Sequence, residues 1–235
     1  MHLFYDPTID AESDIHQLSE DESKHACRVL RLKIGDLFQL LDGNGGLYQS
    51  RICDDNPKKC KVKIESREFH PLPSYQIHIA IAPTKNMDRI EWFVEKATEI
   101  GLTDVTLIIS KNSERKEVKL ERIEKILVSA MKQSKQFYLP RLHPVSSIKP
   151  FILNHPNGLI AHCMHNDKST ISNSFNKIDC PILIGPEGDF TEEEVTMALN
   201  NGYKSVTLGS NRLRTETAGL YACMQMKLMT EQNSI

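Results

Sequence analysis

The first seventy residues show the polar and apolar pattern that is typical of β-strands. Apolar runs at 37–41 and 47–52 flank the segment Asp-Gly-Asn-Gly-Gly at 42–46, which favours a hairpin because these residues tolerate positive φ. Residues 60–65 alternate with a period of two, which predicts a half-buried strand. Pro71 and Pro73 resist both helix and sheet, so they predict a linker after a small β domain over residues 1–70.

After the linker, strand-like and helical patterns alternate. Residues 77–82 form a short apolar run suited to a strand buried on both faces, and residues 90–100 carry a helical apolar stripe that ends at Gly101. A second helical stripe covers 118–134, and helical patterns also follow the last two strands. The remaining strand-like runs lie at 105–109, 159–161, 181–184 and 205–208. Alternating strands and helices indicate a parallel sheet, so we predict an α/β domain over residues 74–235.

Composition and charge restrict the class of protein. With 40% hydrophobic and 26% charged residues, disordered, collagen-like and coiled-coil chains are excluded. The 29 Lys and Arg residues are offset by 31 Asp and Glu residues, so any nucleic acid must be bound by a local patch. The chain has neither an apolar stretch of membrane-spanning length nor a signal-peptide pattern, so we expect a cytoplasmic protein that binds no membrane.

The six cysteines are scattered and contain no Cys-x-x-Cys pair, which favours reduced, buried thiols. One cluster resembles a metal site, at His162, Cys163 and His165. It lacks the second half that a tetrahedral zinc site needs, so we expect no metal.

Two predicted strands end in glycine-containing loops, where parallel α/β sheets bind ligands. The first loop, 184–191, places Glu187 between two glycines, and Thr191 with Glu194 forms a capping box that predicts a helix start. The second loop, 208–218, also runs from a strand through a glycine into a helix. Neither loop has the spacing of a Walker or dinucleotide motif. Each alone is more often a simple strand-to-helix turn, but together they predict a site for a small molecule without phosphates, built by two adjacent loops.

The first loop reads Ile-Gly-Pro-Glu-Gly over 184–188, followed by Phe190, Thr191 and Glu194, and the second reads Leu-Gly at 208–209 and Leu-Arg-Thr-Glu-Thr-Ala over 213–218. Together they closely resemble the paired signature of the RsmE family, which are 16S ribosomal RNA uridine-N3 methyltransferases of the SPOUT superfamily. Further matches extend the resemblance over nearly the whole chain: His25 with 29–31, 35–36, 42–43, Lys85, 95–99 with Gly101, 133–134 and Pro140.

The resemblance implies an N-terminal PUA-like β-barrel that binds RNA and a C-terminal SPOUT domain whose chain end is threaded into a trefoil knot. It implies S-adenosylmethionine as cofactor, a homodimer that completes each site, and 16S rRNA of the small subunit as partner, with U1498 as the family's target. By motif position, the cofactor contacts are Ala161, His162, Gly185, Glu187, Gly188, Leu208, Gly209, Leu213 and Arg214.

Three positions depart from the family pattern. Asp189 stands where glycine is usual, and Gln136 stands where an arginine usually follows the Gln-Ser pair at 133–134. The basic residue that is usual near the N-terminus is absent from residues 2–5.

Positive charge is concentrated in two segments. Residues 24–33 contain four Lys or Arg residues and no acid, and such a cluster can bind phosphates. Residues 111–135 carry eight basic and four acidic residues, and here a solvated helix face with Glu–Lys pairs is an equally good interpretation. The family match favours RNA contact for the first segment, at Lys24, His25, Arg28, Arg31 and Lys33.

Methylation of N3 requires an unpaired uracil that loses its N3 proton, so a base or a stabilising cation is needed. Arg214 is the candidate cation and Glu216 the residue that positions it, although both could be structural at a helix start.

Three alternatives stay open: a SPOUT methyltransferase acting on another RNA or on a ribose 2′-hydroxyl, a non-catalytic RNA-binding protein of this fold, and a doubly wound nucleotide enzyme. The missing phosphate motifs disfavour the last.

Overall fold

The computed structural model describes residues 2–164, 167–176 and 179–231. The chain forms two compact units, one of Met1–Pro73 with Met131–Leu139 and one of Ser74–Ala130 with Pro140–Ile235. Within the described ranges, every helix is too short or too polar to cross a lipid bilayer.

The first unit is a five-stranded sheet with the spatial order β1-β3-β4-β5-β2. Its elements are β1 (Leu3–Tyr5), β2 (Ile15–Gln17), α1 (Glu20–Lys24), a π-helical turn (His25–Val29), β3 (Leu37–Leu41), β4 (Gly46–Asp54) and β5 (Lys61–Phe69). β1 pairs with β3 in parallel, and the other pairs are antiparallel. Alternate strand residues such as Phe38, Leu40 and Val62 are buried together, so the predicted hairpin and alternating strand are confirmed.

The turn of this hairpin holds the segment Met131–Leu139. The Gly43 carbonyl accepts a hydrogen bond from the Leu139 N–H (2.9 Å), and the Gly45 N–H donates to the Phe137 carbonyl (3.0 Å). The Phe137 ring stacks on His70 with centroids 3.4 Å apart. This segment lies inside the range predicted for the α/β domain, but it belongs to the first unit. The first unit is therefore built from two separate stretches of the chain.

The second unit contains an eight-stranded parallel sheet, as the alternation of elements predicted. Its spatial order is β11-β13-β10-β12-β6-β7-β8, and β9 also pairs with β7. The strands are β6 (His78–Ile81), β7 (Asp104–Ile109), β8 (Arg141–Leu142), β9 (Ser146–Ser147), β10 (Leu159–Ala161), β11 (Ser169–Thr170), β12 (Ile182–Ile184) and β13 (Lys204–Thr207). The helices are α2 (Met87–Ile100), α3 (Leu120–Ser134), whose last turn belongs to the first unit, α4 (Ile148–Asn154), α5 (Ile171–Ser174), α6 (Glu192–Asn200) and α7 (Thr215–Glu231).

Local chemistry sets the helix ends near the edge of this sheet. Gly101 ends α2 in the left-handed conformation (φ 117°), which glycine adopts without a steric penalty. The capping box of α6 is present, because Thr191 accepts from the Glu194 N–H and the Glu194 carboxylate accepts from the Thr191 N–H. The same carboxylate accepts from the Lys111 N–H (2.8 Å), which joins the loop after β7 to the start of α6.

Candidate active site

The strand order brings three loops together at one edge of the parallel sheet. β10 lies between β12 and β13, so the chain segments that leave their carboxyl ends are neighbours. They surround a cavity of about 730 Å³, which is within the usual size of a small-molecule site. The two loops predicted to be adjacent therefore flank a third segment, which begins at Ala161 and His162.

Most residues predicted as cofactor contacts line this cavity: Ala161, His162, Gly185, Glu187, Leu208, Gly209, Leu213 and Arg214. The predicted residues Gly188 and Glu216 do not line it. Other lining residues had not been predicted, among them Arg89, Cys163, Lys168, Thr215 and Ala218.

Hydrogen bonds from two neighbouring loops fix the loop after β12. The Asn112 amide group donates to the carbonyls of Gly188 (3.1 Å) and Asp189 (3.0 Å). Gly188 lies close against Asn112, since a Cβ at this position would stand 3.2 Å from the Cβ of Asn112. The Lys85 N–H donates to the Glu187 carboxylate (3.2 Å). The loop is therefore preorganised by neighbouring loops rather than by its glycines alone.

The Asp189 carboxylate joins two walls of the cavity. One oxygen accepts a hydrogen bond from the Cys163 N–H (2.7 Å) after β10, and the other accepts from the Phe190 N–H (2.8 Å). Its backbone is left-handed (φ 61°), a conformation in which Asp and Asn are enriched among non-glycine residues. The Asp189 carboxylate thus links the loops after β10 and β12.

His162 presents an unused polar atom within the site. Its Nε2 is hydrogen-bonded to the Ser205 hydroxyl (3.0 Å), while its buried Nδ1 has no partner among the described residues. Burial lowers the pKa of the imidazole, which favours its neutral form at pH 7. Gly209 has a φ of 111°, which favours glycine. No atom lies within 4 Å of the position that a Cβ would take there. A bound molecule therefore has room against the backbone at Gly209.

The structure separates the predicted pair Arg214 and Glu216. Arg214 is exposed at the cavity, and its side chain has no hydrogen-bond or ion-pair partner in the described part of the chain. Glu216 instead faces Arg89, with Nε and Oε1 3.8 Å apart. Arg89 lies in the first turn of α2, far from both loops in sequence, and no local pattern indicated that this turn reaches the cavity.

The residues predicted to bind RNA lie on and after α1 in the first unit. Folding brings acids to three of them: Glu20 pairs with Lys24 (2.7 Å), Glu22 with His25 (3.4 Å) and Asp55 with Lys33 (3.5 Å). The exposed residues Arg28 and Arg31 have no ion-pair partner among the described residues. Fewer residues of this segment are cations without an acidic partner than the sequence suggested.

Three of the eight cations in the second basic segment have ion-pair partners among the described residues. Arg122 pairs with Glu91, Lys132 with Glu22 (3.1 Å) and Lys111 with Glu193 (3.5 Å). These carboxylates all lie outside residues 111–135, so the Glu–Lys pairs expected within the segment are not among the described contacts.

A metal site is not formed by the residues that the structure describes, since they contain no group of three His, Cys, Asp or Glu side chains placed to hold an ion. His165 of the metal-like cluster lies outside the described residues.

Comparison with known proteins identifies the family. A sequence profile described as RNA methyltransferase domain matches residues 70–227, and one described as RNA methyltransferase PUA domain matches residues 18–65. The ribosomal RNA small subunit methyltransferase E of Rickettsia conorii is 29% identical over 93% of this chain and 92% of its own. The protein of the same name from Synechocystis sp. is 30% identical over 87% of this chain and 70% of its own.

Solved structures agree with these matches. A probable rRNA-methyltransferase from Porphyromonas gingivalis is 40% identical, with a TM-score of 0.90 over 99% of this chain and 100% of that chain. A ribosomal RNA small subunit methyltransferase E from Neisseria gonorrhoeae bound to S-adenosyl methionine is 26% identical, with a TM-score of 0.83 over 97% and 98%. The predicted family and the α/β fold with an N-terminal PUA domain are thereby confirmed, and the chain belongs to the RsmE family of small-subunit ribosomal RNA methyltransferases.

Proposed function

We propose that this protein transfers a methyl group from S-adenosylmethionine to N3 of one uridine in 16S rRNA, U1498 by analogy with the family. The observation that carries the proposal is the meeting of three strand-end loops, two of which bear the family signature, around one cavity of about 730 Å³. Family membership makes small-subunit rRNA the substrate and S-adenosylmethionine the cofactor.

The residues of the cavity suit this cofactor. No atom lies within 4 Å of the position that a Cβ of Gly209 would take, so a ligand has room to lie against the backbone there. The Glu187 carboxylate at the rim suits a ligand that carries positive charge. The remaining proposed contacts are Ala161, Gly185, Leu208, Leu213 and Arg214, with Gly188 acting through the loop it supports. When bound, S-adenosylmethionine supplies a methyl group on a positively charged sulfur.

The chain's own residues must make the uracil reactive. N3–H is the Watson–Crick donor of uracil, so the target base has to be unpaired before N3 can enter the cavity. Loss of the N3 proton to solvent water leaves an imide anion, which a cation placed beside the ring stabilises. We assign this role to Arg214, whose guanidinium lines the cavity without a partner among the described residues. Glu216 belongs to the same site through its contact with Arg89.

The other parts of the proposal concern assembly. We assign RNA binding to residues 1–70, with contacts at Lys24, His25, Arg28, Arg31 and Lys33, and methyl transfer to residues 74–235. A homodimer, a trefoil knot and a cytoplasmic location follow from the family resemblance and stay predictions.

The deciding experiment is transfer of labelled methyl from S-adenosylmethionine to small ribosomal subunits and to their naked RNA, both from cells lacking this protein. We expect one N3-methyluridine in 16S rRNA, located by mass spectrometry of nuclease fragments. A methyl group on another RNA or on a ribose oxygen would favour the alternative SPOUT activities. Absence of both transfer and cofactor binding would favour a non-catalytic RNA-binding protein.

A further inference from the structure

The cavity carries more positive charge than its cofactor explains. Arg89, Lys168, Arg212 and Arg214 line it, against the carboxylates of Glu187 and Asp189 in the lining and of Glu216 beside Arg89. The two lining carboxylates already accept hydrogen bonds from backbone N–H groups. At neutral pH, S-adenosylmethionine has a sulfonium and an ammonium group against one carboxylate, so it is itself a net cation. An excess of cations around a cationic ligand is electrostatically unfavourable, so some of them must serve a second, anionic ligand.

Arg89 is the cation of this set that has an ion-pair partner. Its Nε lies 3.8 Å from Oε1 of Glu216, and the side chains are 38% and 10% exposed, respectively. The second oxygen, Oε2 of Glu216, is buried and has no hydrogen-bond partner among the described residues. Burying a carboxylate oxygen without a hydrogen bond costs free energy. We therefore expect that the Glu216 carboxylate has a function at its position beside Arg89.

The position of Arg89 in its own helix supports a functional role. Arg89 lies in the first turn of α2, where the helix macrodipole disfavours positive charge. In the described part of the chain, Glu216 is its ion-pair partner, and the other guanidinium N–H groups have none. A half-exposed guanidinium that is held on one side and free on the other can bind an anion at the cavity.

We propose that Arg89 binds a backbone phosphate of the RNA beside the target nucleotide, and that Glu216 is its positioning residue. The inference rests on the proposed function, because it requires an RNA substrate and a cationic cofactor. The planar fork of a guanidinium matches two phosphate oxygens, which an ammonium group cannot do. Arg214 then remains available for the uracil ring, so the two arginines act on different parts of the substrate.

The test measures binding of a 16S rRNA fragment that contains the target uridine, in the presence of S-adenosylhomocysteine, over a series of salt concentrations. For Arg89→Ala we expect about tenfold weaker binding and a log–log salt slope lowered by roughly 0.7 to 0.9, the value of one phosphate contact. Arg89→Lys should keep the slope and lose part of the affinity. Arg122→Ala is the matched control, because it removes an ion-paired arginine outside the cavity lining.

Glu216→Gln separates positioning from simple electrostatics. This substitution makes the protein less negative, so general charge attraction would strengthen RNA binding. A positioning role predicts the opposite, a several-fold weaker affinity with an unchanged salt slope. When Glu216→Gln is added to Arg89→Ala, little further loss is expected, because Glu216 then has no guanidinium to position.

Two controls decide what failure means. Calorimetric titration of S-adenosylhomocysteine without RNA should give the same affinity for all variants within about twofold, and their melting temperatures should match the wild type. Weaker cofactor binding by Arg89→Ala with an unchanged salt slope would overturn the inference and assign Arg89 to the cofactor. A lower melting temperature with unchanged RNA binding would mean that the pair of Arg89 and Glu216 is only a structural contact between α2 and α7. If the wild-type protein itself binds no 16S rRNA, the proposed function fails and this inference falls with it.

Discussion

At the scale of single residues, the site depends on a few side chains with specific contacts. Asp189 accepts from two backbone N–H groups, as Asp42 and Glu194 do elsewhere in the chain. Other carboxylates, such as Glu20 and Glu65, form exposed ion pairs with Lys or Arg. Arg214 carries an exposed guanidinium with no partner among the described residues. Changes at these two positions should therefore affect the site more than the stability of the fold.

Arg214→Ala should lower the rate of methyl transfer about 10²- to 10³-fold, because it removes a donor that stabilises developing negative charge. The dissociation constant of S-adenosylhomocysteine should change only a few-fold. Single-turnover kinetics and calorimetry measure the two effects. Arg212→Ala removes an equal charge from the same cavity and should lose much less rate. Full activity of Arg214→Ala would refute the assigned role.

Replacing Asp189 should uncouple two walls of the cavity. Asp189→Gly relieves the left-handed backbone but removes both acceptors, so the melting temperature should stay near that of the wild type while cofactor affinity falls about tenfold. Asp189→Ala should lose about 1–3 kcal/mol of stability as well, since the strain remains. Lys135→Gly is the control for the backbone effect, at another left-handed residue away from the cavity (φ 56°). Wild-type affinity in Asp189→Gly would show that the carboxylate is dispensable.

At the scale of elements, the site is made by neighbouring strands and by the loops and helix starts that come after them. α7 begins directly at the cavity, where the Thr215 hydroxyl donates to the Gly185 carbonyl (3.1 Å). Four residues later Gly219 lets the helix approach β6 and α2, because a Cβ there would stand 2.8 Å from Ile81 and 2.9 Å from Phe93. In the first unit, α1 and its π-helical turn end in an exposed segment that carries Arg28 and Arg31.

Neutralising this segment should change how RNA affinity depends on salt. The double variant Arg28→Gln with Arg31→Gln removes two exposed cations, so the log–log salt slope of RNA binding should fall by roughly 1.4 to 1.8. Lys24→Gln with Lys33→Gln should lower the slope by less, since Glu20 and Asp55 already partly neutralise these lysines. Equal slopes for the first pair and the wild type would remove the segment from the RNA-binding surface.

At the scale of the whole molecule, two features matter: an exposed apolar surface on α7 and a buried histidine with charged neighbours. Tyr221, Met224 and Leu228 form one apolar stripe of α7 and are 41%, 48% and 54% exposed. At the amino ends of β6 and β7, His78 lies among His143, His155, Arg141 and Asp104, and its Nε2 is 2.8 Å from the Thr106 hydroxyl. The first feature concerns assembly and the second concerns stability.

The stripe on α7 is the surface that we expect the second subunit to cover, since exposed apolar patches of this kind mark interfaces. Light scattering should give about twice the chain mass of 26.8 kDa for the wild type. Met224→Glu with Leu228→Glu should give monomers. Leu153→Glu, on α4 and 56% exposed, should remain dimeric. A monomeric wild type would contradict the homodimer directly.

Acid should destabilise the protein through His78. Burial lowers the pKa of this imidazole from 6.5 to about 3, so below pH 6.5 the unfolded chain binds a proton that the folded chain does not. The free energy of unfolding should therefore fall by about 1.4 kcal/mol per pH unit from this group as pH decreases from 6 towards 3. Denaturant titrations of His78→Gln should show a shallower pH dependence, and the exposed His2→Gln should match the wild type. Parallel curves for His78→Gln and wild type would exclude this origin.

Sequence patterns predicted those elements whose local signal is strong. The hairpin at 42–46, the strand at 77–82 and the helix ending at Gly101 have periodicity or turn chemistry that tertiary contacts only reinforce. The two-residue strands β8, β9 and β11 are too short to show a period. Most of the predicted cofactor contacts line the cavity, and the sequence indicated them because they lie within motifs. Arg89 was not predicted, since its place at the cavity depends on a contact with Glu216 across more than a hundred residues.

The segment Met131–Leu139 has a consequence for synthesis of the chain. The first unit cannot close its hairpin turn around Phe137 and Leu139 until these residues have left the ribosome. At roughly 5–20 residues per second, synthesis of the intervening Ser74–Ala130 delays completion of this unit by roughly 3–11 s. During that interval β6, β7 and α2 emerge, so folding of the second unit can begin before the first unit is complete, and the two do not fold in strict N-to-C order.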